Sequence, residues 1–302
     1  MKIKSICSAA VIGAMVFACG GQVMASQCSD DSAENYPEKY ATALSTGVIA
    51  DVSLSDENDN VDLYKFTAPS AGRYSIKITG YDEGRDDYPL VLVYPYGEIR
   101  ENYVTTSISN DINGNVFFRT LASFDADTGE AFYVWAWTEG INKASDYSFF
   151  IFKTPETNSW IKADNDWYYY STDKKDFLTG WQKIGGQWYL FNDEGTMLTG
   201  WQKDGGKWYY LASSGEMLTG WQRVNGTWYF IKKDGAMAAD EYCEGYWLNS
   251  NGSWTYPHKA KWTQDSTGWW YGDPSGWYAK SASYVIDGKK YNFNSAGYCT
   301  NP

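Results

Sequence analysis

Thr179-Gly180-Trp181-Gln182-Lys183 recurs as Thr199-Gly200-Trp201-Gln202-Lys203 and again as Thr219-Gly220-Trp221-Gln222-Arg223, a period of 20 residues. A fixed period of this length marks a repeat architecture, in which one small unit stacks on the next. In each unit a second Trp follows seven positions after the first and carries a Tyr behind it: Trp188-Tyr189, Trp208-Tyr209 and Trp228-Tyr229. Between the paired Trp residues lie Gly185-Gly186, Gly205-Gly206 and Asn225-Gly226. These suit a two-residue hairpin turn, whose two central positions both take positive φ. Each unit therefore reads as a β-hairpin in which Lys183 pairs with Trp188. Trp181 and Lys183 then share a face, so the two indoles emerge on one side as diagonal neighbours about 7 Å apart. They form two walls of a pocket, while Tyr189 points to the opposite face and toward the adjoining hairpin. The seven-residue spacing also occurs at Trp160/Trp167, Trp247/Trp254 and Trp262/Trp269, and in softened form at Tyr284/Tyr291. A lone hairpin is marginal in water, so the units are expected to stack into a solenoid through connectors such as Gly195-Thr196-Met197-Leu198 and Gly215-Glu216-Met217-Leu218.

The run from Gly180-Trp181 through Trp188-Tyr189 to Gly195-Thr196-Met197 is similar to the choline-binding repeat of Gram-positive surface proteins and cell-wall hydrolases. Three copies carry the resemblance fully, the unit from Trp160 in softer form, and the units after Ala239 only in part. The resemblance implies that choline sits between consecutive hairpins, held by two Trp of one unit and an aromatic of the next, with a Met or Leu nearby. Carried over, one site is Trp181, Trp188 and Tyr209 beside Met197; the next is Trp201, Trp208 and Tyr229 beside Met217; an earlier one is Trp160, Trp167 and Tyr189. The third wall is that Tyr or its neighbour, such as Tyr210. The chemistry agrees, because a quaternary ammonium has no proton to donate and is recognised by π-faces at roughly 0.5–2 kcal/mol each. A single site is then millimolar, on the order of 4 kcal/mol, and repetition along a choline-bearing wall polymer of the teichoic-acid type raises the apparent affinity by about 10²–10⁴. The competing reading is the related carbohydrate-binding repeat of clostridial toxins and glucan-binding proteins. That repeat usually lacks the second Trp, so Trp188, Trp208 and Trp228 favour choline. Lys289-Lys290-Tyr291-Asn292-Phe293 leans toward the carbohydrate type, which makes the last segment either a structural cap or a different binding surface.

Ahead of the repeats, short alternating runs are punctuated by Pro69, Gly72, Pro95, Gly97, Gly114 and Gly129. The runs are Val61 to Phe66, Arg73 to Ile78, Leu90 to Tyr94, Val116 to Phe118, Phe132 to Trp137 and Tyr147 to Phe152. Period-two alternation without a long helical period predicts an antiparallel β-sandwich. The whole chain thus reads as all-β, a jelly-roll-like sandwich followed by a β-hairpin solenoid. Asp62 to Ile76, Ala131 to Trp135 and Ser145 to Phe149 resemble the bacterial pre-peptidase C-terminal domain, a small sandwich usually appended to secreted enzymes, which implies an accessory module. The acidic run Asp56-Glu57-Asn58-Asp59-Asn60-Val61-Asp62 fails as a calcium loop, since Val61 stands where Gly is needed and Thr67 where Glu is needed.

Residues 1–25 read as an export signal: Lys2 and Lys4, an apolar stretch from Ile6 to Cys19, and Val23-Met24-Ala25 before the cut. Lipidation at Cys19 is the alternative, and Phe17 and the good later cleavage site weigh against it. A polar lead-in at 26–35 precedes the sandwich at 36–155, the hairpin repeats at 156–240 and the divergent units or cap at 241–302. Net charge is −12 without a Lys/Arg cluster, so nucleic acid is not an expected partner. The mature chain keeps Cys28, Cys243 and Cys299, an odd count; Cys243 and Cys299 bracket the last segment and form a possible disulfide. For catalysis the chain offers one histidine, His258, which excludes a His-based triad or a multi-His zinc site. Asp82, Asp86, Asp87 and Glu98 read as solvated loop carboxylates. No catalytic residue, cofactor or metal site is expected. The functional expectation is a secreted, non-catalytic protein of the cell wall or cell surface, anchored by its repeats and displaying the sandwich to a ligand the sequence leaves unnamed. The alternatives are a glucan-binding repeat protein and a divergent cell-wall hydrolase.

Overall fold

The computed structural model describes residues 41–52, 60–80, 88–96, 105–106, 108–110, 116–118, 121–139 and 147–302, together with the short strands Val23–Met24 and Gln27–Ser29. Most of the export signal, Asp56 to Asp59 of the acidic run, and Asp82, Asp86, Asp87 and Glu98 fall outside these residues. The described residues contain strands and no helix. They divide into two compact units, residues 1–179 with 193–196, and residues 180–192 with 197–302.

The first unit holds two facing sheets. One has the order Val23–Met24, Ile49–Val52, Tyr147–Lys153, Gly72–Thr79, Leu121–Ala126; the other runs Gln27–Ser29, Asn60–Thr67, Ala131–Glu139, Tyr88–Pro95, Thr105–Thr106, with Thr42–Leu44 also on Asn60–Thr67. Pairing is antiparallel except where Val23–Met24 meets Ile49–Val52 and where Thr42–Leu44 meets Asn60–Thr67. Alternate residues point inward: Ile76, Ile78, Phe149 and Ile151 from the first sheet meet Tyr64, Phe66, Val91, Val93, Phe132 and Val134 from the second in one core. Tyr64 lies edge-on to Phe149 with centroids 5.2 Å apart, and Phe66 to Tyr74 at 5.2 Å. This is the sandwich that the alternation predicts: all six expected strands are present with ends within two residues of expectation, five of them in the two sheets and Val116–Phe118 paired separately with Ile108–Asn110.

The outer face of Tyr147–Lys153 is buried as well. Phe150 and Phe152 pack with Ala163, Tyr168, Tyr170 and Phe177 from the hairpin Ser159–Ala163/Asp166–Ser171 and the short strand after it. The Trp160 hairpin therefore covers one sheet of the sandwich. Its burial pushes the Tyr168 hydroxyl pKa up to about 12.

The second unit holds the three strong repeats as hairpins, Gly180–Ile184/Gln187–Phe191, Gly200–Asp204/Lys207–Leu211 and Gly220–Val224/Thr227–Ile231. The third joins Ser253–Trp254, Tyr246–Leu248, Glu241–Cys243, Ser283–Ile286 and Lys289–Asn292 in a seven-stranded sheet, and Lys261–Gln264/Trp269–Gly272 forms a further hairpin. Turn positions have the required sign, with φ of 58° and 91° at Gly185 and Gly186, 52° and 81° at Gly205 and Gly206, and 48° and 85° at Asn225 and Gly226. The repeated Gln holds the bend before the second and third hairpins: Gln202 Nε2 donates to the Thr199 carbonyl at 2.8 Å and Gln222 Nε2 to that of Thr219 at 2.9 Å.

The possible disulfide between Cys243 and Cys299 is corrected by the structure, in which both are free thiols. Cys243 is buried with Ala238 and Leu248, whereas Cys299 packs against the separate cluster around Tyr242 and Phe293, so the bracketing positions in sequence do not bring the sulfurs together. Desolvation raises the Cys243 thiol to a pKa of about 12, which keeps it protonated and unreactive, since the thiolate is the nucleophile. Alkylation of the native protein at neutral pH, read by peptide mass, is therefore expected to modify Cys299 well before Cys243, which reacts only on denaturation. Equal protection of both would restore the disulfide.

Candidate ligand cages

Each strong hairpin has the register that places two indoles on one face. Trp181 pairs with Leu190 and Lys183 with Trp188; Trp201 pairs with Tyr210 and Lys203 with Trp208; Trp221 pairs with Phe230 and Arg223 with Trp228. The diagonal indoles meet edge to face, at 6.3 Å and 89° for Trp201 and Trp208 and at 6.5 Å and 82° for Trp221 and Trp228. In the first unit Trp160 and Trp167 repeat the arrangement at 6.4 Å and 85°. The second Trp of each pair stays open to solvent, with Trp188 and Trp208 each 42% exposed and Trp228 37%. Such exposure of a large apolar ring at a repeated position is what a ligand-facing wall requires.

The next hairpin supplies a third ring. Tyr209 lies 4.8 Å from Trp181 and Tyr229 lies 4.9 Å from Trp201. Tyr210 instead packs on Trp201 of its own hairpin at 4.8 Å, so of the two neighbours it is Tyr209 that reaches across. Tyr189 turns to the buried side and donates from its hydroxyl to Glu216 at 3.3 Å. The expected trio of Trp160, Trp167 and Tyr189 divides between the two units, the indoles in the first and Tyr189 in the second.

The methionines sit one repeat later than expected. The Met217 N–H donates to the Trp188 carbonyl at 2.8 Å and the Met237 N–H to that of Trp208 at 2.7 Å. The Met217 side chain fills the space above Gly235, where Tyr209 also approaches. Met217 thus meets Tyr209 above Gly235 and bonds through its backbone to Trp188, and Met237 rather than Met217 bonds to Trp208. Met197 lies against Gly215, whose φ of 92° and missing side chain leave room for the sulfur. The shift arises because the connector crosses back over the preceding hairpin before the next one starts, an offset that a linear repeat does not display.

Two further ring sets escaped sequence reasoning. Trp221 and Trp228 are joined by Tyr246, 5.6 Å from Trp221, and by Trp254, 6.1 Å from Trp221 and a strand partner of Trp228. Trp262 meets Tyr291 at 4.8 Å, Trp269 is 38% exposed, and Cys299 donates its N–H to the Trp269 carbonyl at 2.7 Å, as Met217 does to Trp188. The hairpin that carries Tyr246, Glu241–Cys243/Tyr246–Leu248, is shorter than its predecessors, which hid the first set from a period of 20. Elsewhere the seven-residue spacing misleads: Tyr284 and Tyr291 are directly opposed strand partners, and Trp247 pairs with Tyr242 while Trp254 pairs with Leu248.

Charge is placed unevenly around the rings. Trp181 Nε1 donates to Asp204 Oδ2 at 3.0 Å and Trp221 Nε1 to Glu244 Oε2 at 3.0 Å. Lys203 Nζ lies 5.8 Å over the Trp208 ring and Lys259 Nζ 5.3 Å over Tyr246.

Residues 178–219 match the choline-binding repeat family, and residues 219–237 match the putative cell wall binding repeat family. The hairpins of residues 178–237 are built of choline-binding repeats. No curated protein matches the chain. Among solved structures the chain is 41% identical to the choline binding domain of Spr1274 of Streptococcus pneumoniae, over 26% of this chain and 96% of that one, with a TM-score of 0.26. It is 26% identical to choline binding protein F of Streptococcus pneumoniae, over 70% of each chain, with a TM-score of 0.33. It is also 26% identical to CbpJ of Streptococcus pneumoniae TIGR4, over 82% of this chain and 78% of that one, with a TM-score of 0.33. The family models cover the choline-binding repeats from Leu178 to Met237, and the cage of Trp262, Trp269 and Tyr291 lies beyond them.

Proposed function

We propose that the choline-binding repeats anchor this chain to choline-bearing polymers of the cell wall, and that the chain is exported, is non-catalytic and displays its sandwich as an accessory domain at the cell surface. The observation that carries the reading is the recurrence, at a fixed register, of paired indoles closed by a Tyr 4.8–4.9 Å away on the next hairpin, with the two indoles perpendicular where Trp201 meets Trp208. Perpendicular rings present π-faces from several directions, which suits a tetrahedral trimethylammonium group. A flat sugar ring prefers one broad stacking platform. Weak single cages and their repetition fit a polymer with many headgroups, where linked binding multiplies affinity. The non-catalytic part rests on the single histidine, His258, and on the absence of a nucleophile with a base among the sequence motifs. The pre-peptidase resemblance of the sandwich supports an accessory role, and residues 1–25 support export.

The test is a titration of the full-length mature protein with choline chloride, followed by intrinsic Trp fluorescence, with a Trp188→Ala/Trp208→Ala variant and a soluble glucan as comparisons. The expected result is saturation in about the millimolar range, with most of the response lost in the variant, because both residues are exposed walls and their removal spares the packed side of the hairpins. Binding of glucan with no response to choline would overturn the reading and move the array to the carbohydrate class.

A further inference from the structure

The ring sets are alike in geometry and unlike in charge. The indole N–H of Trp181 is held by Asp204 and that of Trp221 by Glu244, each 23 positions further on and each at 3.0 Å. The residue 23 positions after Trp201 is Val224, which has neither charge nor acceptor in its side chain. Lys203 also stands over Trp208 in that middle cage, and among the described residues no carboxylate accepts from the Trp201 indole as Asp204 and Glu244 do from Trp181 and Trp221. In the third cage Lys259 stands over Tyr246, but the Glu244 carboxylate holds the first indole there, and the Glu244 N–H donates to Asp287 Oδ1 at 2.7 Å, which brings a second carboxylate close by.

A carboxylate that accepts an indole N–H does two things. It fixes the ring's orientation through a charge-assisted hydrogen bond, and it sets a full negative charge a few ångströms from the π-face that a cation would use. The first effect serves any ligand. The second attracts an ammonium group and does nothing for a neutral sugar or alcohol of the same shape. We infer that Asp204 and Glu244 are specificity-determining residues that select a cationic headgroup over neutral ligands, and that the array is consequently graded, with the Trp201, Trp208 and Tyr229 cage its weakest member for cations. The inference rests on the choline reading above.

The experiment labels full-length protein with 5-fluorotryptophan and follows each indole by fluorine NMR, so that cages titrate separately. Two probes are used at constant ionic strength: choline chloride and its neutral isostere 3,3-dimethyl-1-butanol, in which carbon replaces the charged nitrogen. In the wild-type protein, choline is expected to be preferred over the isostere more strongly at Trp188 than at Trp208. Asp204→Asn keeps an acceptor and removes the charge; it is expected to weaken choline about threefold to tenfold at Trp188 and leave the isostere unchanged. Glu244→Gln is expected to do the same at Trp228. Val224→Asp is expected to strengthen choline at Trp208 by a similar factor. Raising the salt to about 0.5 M should shrink all three differences, since exposed charges are then screened. Choline binding with the same choline-to-isostere ratio at every cage, unmoved by Asp204→Asn and Val224→Asp, would overturn the grading and leave the anchor standing. Equal loss of both probes in Asp204→Asn would reduce Asp204 to a ring support. Absence of any choline response in the wild type would sink the choline reading beneath it.

Discussion

Replacing Trp221 by alanine is expected to cost the array about 3 kcal/mol, a loss that Trp188→Ala will not reproduce. The two positions are both walls by chemistry, but they differ in packing. Trp188 is 42% exposed at the end of its hairpin. Trp221 contacts Trp228, Phe230, Tyr246 and Trp254 with centroids between 5.2 and 6.5 Å and donates its N–H to Glu244. It also leans on the buried cluster of Ala238, Cys243 and Leu248. Large-to-small changes at packed aromatics cost about 3–5 kcal/mol, and partial exposure of Trp221 places it at the lower end. In a stack of hairpins each unit is stabilised mainly by its neighbours, so the loss falls on the joint between the third hairpin and the strands after Glu241. Urea unfolding of the full chain should show a lower midpoint for Trp221→Ala and an unchanged one for Trp188→Ala. Choline at about 100 times its dissociation constant should add about 2.7 kcal/mol per independent site to the wild type, and the Trp221→Ala protein should gain less because one cage is gone. Equal midpoints for the two variants would mean that the ring contacts around Trp221 contribute no stability.

The hairpins were legible because their code is local. Gly-Gly or Asn-Gly at the turn sets a two-residue loop, and the loop sets every pair outward from it, so Lys183 opposite Trp188 follows from positions 185 and 186 alone. The third ring was legible as a choice between Tyr209 and Tyr210, and side alternation along Lys207–Leu211 decides it in the structure. What stayed hidden depends on how units return on one another. The Met217 to Trp188 bond links residues 29 apart through a connector whose path a repeat period does not specify. Tyr246 and Trp254 join Trp221 because the following hairpin is short, and the turn at Glu244-Gly245, with φ of 52° and 89°, falls before the position that the period would give it. In the sandwich, Leu121–Ala126 was missed although Ala122, Phe124 and Ala126 alternate with Ser123 and Asp125, because two of its three inward residues are alanines and carry little apolar signal; Ser123 meets Ser75 across the sheet at 2.8 Å.

The run Tyr147-Ser148-Phe149-Phe150-Ile151-Phe152 leads to the second large effect. A half-exposed strand would alternate, yet Phe149 through Phe152 are all apolar, which is the pattern of a strand covered on both faces. Phe149 and Ile151 enter the sandwich core, and Phe150 and Phe152 meet the Trp160 hairpin on the other side. Phe150 is fully buried, with its ring 5.0 Å from Tyr168, 5.8 Å from Phe152 and 6.1 Å from Phe177. Lys77 is buried beside them with its nitrogen 5.8 Å over Phe177; desolvation lowers its pKa, against the opposing pull of Asp176 and Glu194. A cavity at Phe150 would leave this lysine closer to water and loosen the hairpin from the sheet. Phe150→Ala is therefore expected to destabilise the first unit by about 3–5 kcal/mol, and Tyr168→Ala by an amount in the same range. Because the two rings touch, the double variant should lose less than the sum, with a coupling of about 0.5–3 kcal/mol, measured by urea unfolding of the full chain. Choline binding read at Trp208, in the second unit, should be unaffected in each variant under folding conditions. Strict additivity of Phe150 and Tyr168 would show that hairpin and sheet are stabilised separately.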